Sequence, residues 1–232
     1  ENPEAVFQGV LKELWETRLD SSQMCVEIPI ARESTNPLLE RLLPLASSYS
    51  HYVEVRADLR QSREGLQRGL RKSHKQSMYR AQNKLDRVEI FFGEVSDEAF
   101  EAYRSLHLTA AGRETRPKLS WELQKQAILA KQASLVTLSY GDRIIGASFF
   151  WLTTSAGLYG SAAYDRSMFA ELPVSHLGIF RAIEHAQDLG IERMIIGEAY
   201  AVTGTQKEKG IATFKRGFSP VRDHFHRLLI SR

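Results

Sequence analysis

The chain has 232 residues, 43% hydrophobic and 25% charged, with a net charge of +3. This is ordinary for a soluble globular protein with ample core, enough for one large domain or one and a half small ones, and the charge is too small to imply nucleic acid by itself. A single cysteine, Cys25, excludes an internal disulfide framework; with no bilayer-length apolar run and no signal peptide, the expected location is the cytoplasm.

The first residue is Glu1, not methionine, so a fragment of a longer protein is expected. Ala5–Thr17 has helical spacing, with Val6, Val10, Leu14 and Trp15 on one side. Met24–Ile30 reads as a strand. Asn36-Pro37 opens a short helix through Leu45, with proline in the first helical position. Tyr49–Leu59 alternates as a strand. Glu64–Leu85 carries an apolar stripe of Leu66, Leu70, Met78, Ala81 and Leu85. Seven cations surround it, from Arg68 to Arg87, against only Glu64 and Asp86. This basic helix, residues 66–87, is either a solvated face or an electrostatic surface for phosphates on a ligand or on RNA.

Val88–Val95 reads as a strand, and Ser96 caps a helix with Asp97 and Glu98 in its first turn. That helix presents Phe100, Tyr103, Leu106 and His107. Ala111–Lys118 is a charged loop, and Ser120 caps a helix from Trp121 to about Lys131. Ser134–Tyr140, Arg143–Leu152 and Gly157–Tyr164 then form a meander, its first turn set by Gly141-Asp142. A helix follows, with Leu177, Phe180, Ile183, Ala186 and Leu189 at three-residue steps, Ser175 as its cap and Gly190 just past its end. Arg193–Glu198 is a strand. The strand–helix–strand unit makes a crossover, so this strand should lie parallel to Gly157–Tyr164. Ala199–Lys209 reads as a loop, Thr213–Ser219 as a short segment with cations between phenylalanines, and Arg222–Ile230 as an edge strand. The expected fold class is α/β (α+β): a mixed sheet, an antiparallel meander followed by a βαβ crossover, flanked by helices.

No zinc spacing is present, since the one cysteine and the seven histidines are scattered; no metal is expected. Phosphate-loop, dinucleotide and serine-hydrolase signatures are also missing. Glu198 ends an apolar strand at the open end of the parallel pair, where partial desolvation suits a general base. Tyr159, Ser161 and Tyr164 on the neighbouring strand either orient a ligand or fill a sheet face. The crossover helix starts near Ser175, His176, Leu177 and Gly178, where backbone N–H groups can hold a phosphate or an oxyanion. Lys215 and Arg216 sit between phenylalanines, so at least one cation is expected to point inward. Arg113, Glu114 and Arg116 lie on a loop that could cover the cleft.

Taken together, LRKSHKQSMYRAQNK, SLHLTAAGRETRP, DRIIGASFFW, GLYGSAAYD, AIEHAQDLGIERMIIGEA and KEKGIATFKRGF resemble the FemABX-type, acetyltransferase-like branch of the acyl-CoA N-acyltransferase (GNAT) superfamily. The resemblance covers about residues 60–220. It implies a GNAT-like acyltransferase domain at 60–232, with residues 1–59 the remainder of a first such half or an N-terminal extension. It implies a splayed parallel pair holding the acyl donor, with Tyr164 and Ser175–Gly178 in contact with it. The Arg/Gln-x-x-Gly-x-Gly/Ala loop of ordinary GNAT enzymes is replaced here by Glu171–Gly178 (ELPVSHLG). The implied donor is acyl-CoA, with aminoacyl-tRNA, held by the basic helix, or an acyl carrier protein as alternatives. The implied acceptor is the amine of a small molecule, amino sugar or cell-envelope precursor. In this reading Glu198, or a water it holds, takes the amine proton, backbone N–H groups near the helix start with Lys215 or Arg216 stabilise the oxyanion, Arg216 also lies at the donor, and Arg113, Glu114, Arg116, Tyr159 and Ser161 face the acceptor. The competing expectation is a degenerate binding module for RNA or another anionic polymer.

Overall fold

The computed structural model describes residues 23–30, 36–168, 171–199 and 205–231. The expected helix at 5–17 and the part of the expected loop at 200–204 lie outside them. The chain divides into two compact units: residues 1–53 with 223–232, and residues 54–222.

In the first unit, β1 (Gln23–Pro29) pairs antiparallel with β8 (Arg222–Ser231), from Gln23↔Ser231 to Pro29↔Phe225. On its other side β8 lies against β2 (Ala46–Asp58), whose residues 46–53 belong to this unit. The C-terminal run is therefore an interior strand and not the expected edge. The short helix α1 (Pro37–Leu42) begins as read, with the Asn36 side chain accepting from Leu38 N and Pro37 at the start. It tightens into a 3-10 turn over Leu43–Leu45. Met24, Ile28, Leu42, Leu228 and Ile230 form this unit's core.

In the second unit the strand order is β2, β7 (Arg193–Glu198), β6 (Ala156–Tyr164), β5 (Arg143–Leu152), β4 (Ala133–Tyr140), β3 (Arg87–Phe91). The meander and the crossover form as expected. β4, β5 and β6 pair antiparallel, and β6 and β7 pair in parallel. The parallel ladder is short: it runs from Ala156↔Arg193 to Leu158↔Ile195. Beyond it β6 follows β5 to Tyr164↔Gly146, while β7 follows β2 to Glu198↔Glu54. A β-bulge between Phe149 and Phe150 leaves Gly160 unmatched, so Tyr159 opposes Phe150 and Ser161 opposes Phe149. The extra residue breaks the alternation. Tyr159 joins the larger core cluster and Ser161 turns to the other sheet face, which the sequence reading put on one face together.

Helices cover both faces. α6 (Val174–Asp188) packs Leu177, Ile179, Phe180, Ile183 and Ala186 into the larger cluster, with Val136, Leu138, Ile145 and Phe150 of the sheet. α4 (Asp97–Ala111) and α5 (Lys118–Leu129) cover the other face with Phe100, Tyr103, Trp121 and Ile128. Ser96 caps α4 as read, accepting from Ala99 N. α5 starts before Ser120, because Pro117 occupies the cap position and fixes the first turn.

The expected basic helix is two helices, α2 (Arg63–Gly69) and α3 (Lys72–Gln82). Leu70 interrupts it with ψ near 140°, which buries its side chain while Arg87 begins β3. The crossover helix has Pro173 as its cap and starts at Val174, so Ser175 and His176 are its second and third residues. The polar stretch after β7 is not loop throughout: α7 (Gln206–Lys215) begins with a capping box in which Thr205 Oγ1 accepts from Glu208 N and Glu208 Oε2 accepts from Thr205 N. Thr-x-x-Glu at 205–208 was the sequence signal for it.

Gly178 sets the height of α6 above the sheet. A Cβ there would meet Ser148 Oγ at 3.0 Å and Leu138 Cδ1 at 3.3 Å. Gly178→Val is therefore expected to overpack the helix–sheet contact and cost about 2 kcal/mol, read as a lower urea midpoint with an unchanged m-value.

Candidate functional site

A cavity of about 380 Å³ lies within the second unit beside the part of β6 that runs on past its pairing with β7. Its walls come from three places: Tyr159, Ala162 and Tyr164 of β6, Ser175 in the first turn of α6, and Ile211, Phe214 and Lys215 of α7. Ala110 and Arg166 complete the rim. A second cavity of about 430 Å³ shares Ala110, Tyr164 and Arg166 and continues past the Arg143–Asp165 ion pair at 3.1 Å.

Lys215 is the half-buried cation at this site, with the exposed Arg166 on the rim. Its Nζ donates to the backbone carbonyl of Glu198 at 3.1 Å. Gly197, at φ 104°, makes the room: a Cβ there would stand 2.9 Å from Nζ. Burial pushes the Lys215 pKa down, and the carboxylates of Glu198 and Glu54 oppose that shift. A half-buried ammonium beside an apolar wall is suited to charge that develops during a reaction.

The phenols supply neutral donors. Tyr164 Oη lies 2.6 Å from Ser148 Oγ, and its hydroxyl also interacts with that of Tyr159. Burial raises both pKa values strongly; Tyr159 pushes Tyr164 further up, whereas the hydrogen bond with Tyr164 pulls Tyr159 back down. Gly146 is bare because the Tyr164 ring covers it, at 2.7 Å from where a Cβ would be.

The structure thus brings Tyr159, Tyr164, Ser175 and Lys215 to one cavity, with Glu198 held next to Lys215. The other residues singled out in the sequence are elsewhere. Ser161 Oγ meets Tyr103 Oη at 2.5 Å on the opposite sheet face, and Tyr103 also donates to Gln124 Oε1. Burial raises the Tyr103 pKa to about 12. Leu177 is buried in the core, and Gly178 is the helix–sheet contact described above. Arg216 folds back on α7, with Nε donating to Ala212 O at 3.2 Å. On the loop between α4 and α5, Glu114 pairs with Arg104 at 3.5 Å, Arg116 covers the Trp121 ring at 5.0 Å, and Arg113 is exposed. Arg166, Ile211 and Phe214 were not singled out. The last two belong to α7, for which Thr-x-x-Glu at 205–208 is the local signal.

His176 is part of what holds α7 in place. Its ring packs against His74 at 4.5 Å and Phe214 at 5.1 Å, and Phe218 closes the group at 4.9 Å from His74. His74 Nε2–H donates to Phe214 O at 2.8 Å, which fixes the carbonyl next to Lys215. The His74 ring also lies on Gly217, where a Cβ would come within 2.1 Å. Among the described residues no group of three His, Cys, Asp or Glu is placed to hold a metal ion. No described helix is long and apolar enough to cross a membrane.

A family model described as the acetyltransferase (GNAT) domain matches residues 72–216. No match was found among curated proteins. Among solved structures, the chain is similar to FemX, at TM-score 0.65 and 10% identity, covering 96% of this chain and 77% of that one. It is also similar to the C-terminal domain of a putative lysylphosphatidylglycerol synthetase from Agrobacterium fabrum, at 0.62 and 13%, covering 97% and 72%. A GCN5-related N-acetyltransferase from Sphaerobacter thermophilus matches at 0.52 and 15%, covering 100% and 70%. At these identities the likeness is one of fold.

Two outcomes follow from the aromatic group. Gly217→Ala should force His74 off α7 and cost about 3 kcal/mol, seen in chemical denaturation. Burial, followed by the neighbouring His74, depresses the His176 pKa to about 4, and His74 and His185 are lowered too. The unfolded chain therefore binds more protons than the folded one below pH 6.5, so stability should be complete above 6.5 and fall as pH drops toward 4. A urea midpoint measured against pH checks this, and His176→Phe should flatten the slope.

Proposed function

The chain belongs to the acetyltransferase (GNAT) family and is an acyltransferase, and from that premise we propose that its 54–222 unit transfers an acyl or aminoacyl group from an activated ester or thioester to an amine. One observation carries this reading: the cavity opens where the β6–β7 ladder stops, and it gathers an ammonium, two phenols and a helix start against apolar walls. The amine nitrogen attacks the donor carbonyl carbon, and the oxyanion that forms is stabilised by Lys215. The carbon–oxygen or carbon–sulfur bond then breaks. Tyr164, kept protonated by burial, gives its proton to the leaving atom. Glu198, or a water it holds, takes the amine proton. Holding both reactants in one cleft supplies much of the rate.

Two features favour an aminoacyl ester on tRNA as the donor. A strongly raised phenol is a better match for an alkoxide leaving group than for a thiolate, which leaves with less help from an acid. The start of α6 is Leu172-Pro173-Val174 in place of a glycine-rich pyrophosphate loop. FemX and the lysylphosphatidylglycerol synthetase domain share the fold, which is in keeping with this reading and with an amine of the cell envelope as acceptor. The second reading, an acyl-CoA or carrier-protein thioester, is favoured by Ser175 and the first turn of α6 facing the cavity.

The deciding experiment sets thermal stability and turnover against CoA, acetyl-CoA, longer acyl-CoAs, and charged and uncharged tRNA. A shift and amine acylation with charged tRNA support the first reading; the same with CoA esters supports the second. Binding by none of these donors and no acylated amine would overturn the proposal. Lys215→Gln should lower kcat by ~10²–10³-fold with an unchanged Tm. Glu198→Gln should lose most turnover while keeping the fold; unchanged turnover removes Glu198 from the role.

A further inference from the structure

Three arginines of the second unit converge on the last turn of α7. Arg71 Nη2 donates to Thr213 O at 2.8 Å. Arg216 donates to Ala212 O and, through Nη2, to Thr213 Oγ1 at 3.4 Å. Arg222 Nη2 donates to Arg216 O at 3.0 Å, and its Nη1 donates to Val221 O at 2.8 Å and to Ser219 O. Backbone carbonyls hold all three guanidiniums, and among the described residues none of them pairs with a carboxylate. Arg71 and Arg216 are exposed and Arg222 is half-buried.

Capping of α7 does not account for this arrangement. The carbonyl end of a helix carries about −0.5 charge, against three full positive charges here. Like charges in one place repel unless an anion joins them. Burial lowers the Arg222 pKa, followed by Arg216 and then Arg71, so the repulsion is felt within the cluster itself. Each arginine has N–H groups beyond those the carbonyls engage, and Arg71 and Arg216 present theirs to solvent. Such pre-positioned forks match tetrahedral oxyanions.

We propose that Arg71, Arg216 and Arg222 form a binding site for one phosphate group. On the helical wheel Thr213 and Arg216 lie opposite Ile211, Phe214 and Lys215, which line the cavity. The site is therefore separated from the cavity by the width of α7, about 10 Å. It is independent of the acyl-transfer reading, because it makes no use of Lys215 or the phenols. The phosphate belongs either to a phosphodiester of nucleic acid or to a small phosphorylated ligand.

The test uses the whole chain. Thermal stability is followed with inorganic phosphate and with sodium chloride at matched ionic strength. Phosphate should raise Tm beyond chloride. Arg71→Gln with Arg216→Gln should abolish that excess, and Arg71→Gln alone should weaken phosphate binding roughly tenfold, as expected for losing one hydrogen bond to a charged group. The single variant, at an exposed position, keeps the test valid if the double variant is unstable. No excess over chloride in the unaltered chain overturns the site, as does an excess that survives in the variants. Fluorescence anisotropy of a labelled single-stranded RNA oligonucleotide identifies the source. Binding that phosphate competes away and the variants weaken assigns the phosphate to nucleic acid; a phosphate effect without oligonucleotide binding assigns it to a small ligand. Both uphold the site.

Discussion

Everything at the candidate site depends on where one parallel ladder stops. β6 and β7 are paired only as far as Leu158 and Ile195, and beyond that each strand follows its other neighbour. A strand edge that faces no partner strand leaves backbone groups to be satisfied by solvent or ligand. A cleft between two such edges can hold an extended ligand without rearranging the core. The two bends have local causes. The bulge at Gly160 turns β6, and Gly197 allows β7 a positive φ that also makes room for Lys215.

The third wall, α7, is fixed from outside the sheet. His74 of α3 rests on Gly217 and holds the Phe214 carbonyl, while His176 of α6 packs against both His74 and Phe214. This ring cluster joins α3, α6 and α7, and it determines where Lys215 points. Its histidines are structural and neutral, which is why acid should weaken the wall before it alters the polar groups inside the cavity.

The polar groups of the cleft are of two kinds. The phenols of Tyr159 and Tyr164 are neutral donors, kept so by burial. Lys215 is a charge made tolerable by a carbonyl and two nearby carboxylates. In the proposed reaction the neutral donor serves the leaving atom and the restrained cation the oxyanion. Outside the cavity, the arginines at the end of α7 place positive charge on the helix's far face, so this one helix carries residues of both the cavity and the arginine cluster.

The meander, the crossover, the parallel direction of β7 and the core stripe of α6 were legible in the sequence. They depend on local periodicity and on Gly-Asp and Gly turns, which act over a few residues. The resemblance carried by GLYGSAAYD and KEKGIATFKRGF identified the same family that the comparisons support. Tyr164 and Ser175 stand at the end of β6 and the start of α6, so their place beside the cavity follows from those elements, whereas Lys215 ends α7, a helix that the sequence reads as a loop and a short segment. Other features came only from the tertiary structure. One extra residue at Gly160 sent Ser161 to the opposite face from Tyr159. His176, which sequence position alone could equally have placed at an anion, was drawn into the aromatic group by Phe214 and Phe218, residues about forty positions away in the chain. Arg71, Arg216 and Arg222 come from three separate segments and meet only when α3 and α7 dock. Sequence by itself determines what each short segment prefers; which side chains share a cavity is decided by long-range packing, because burial energy depends on neighbours that local spacing does not specify.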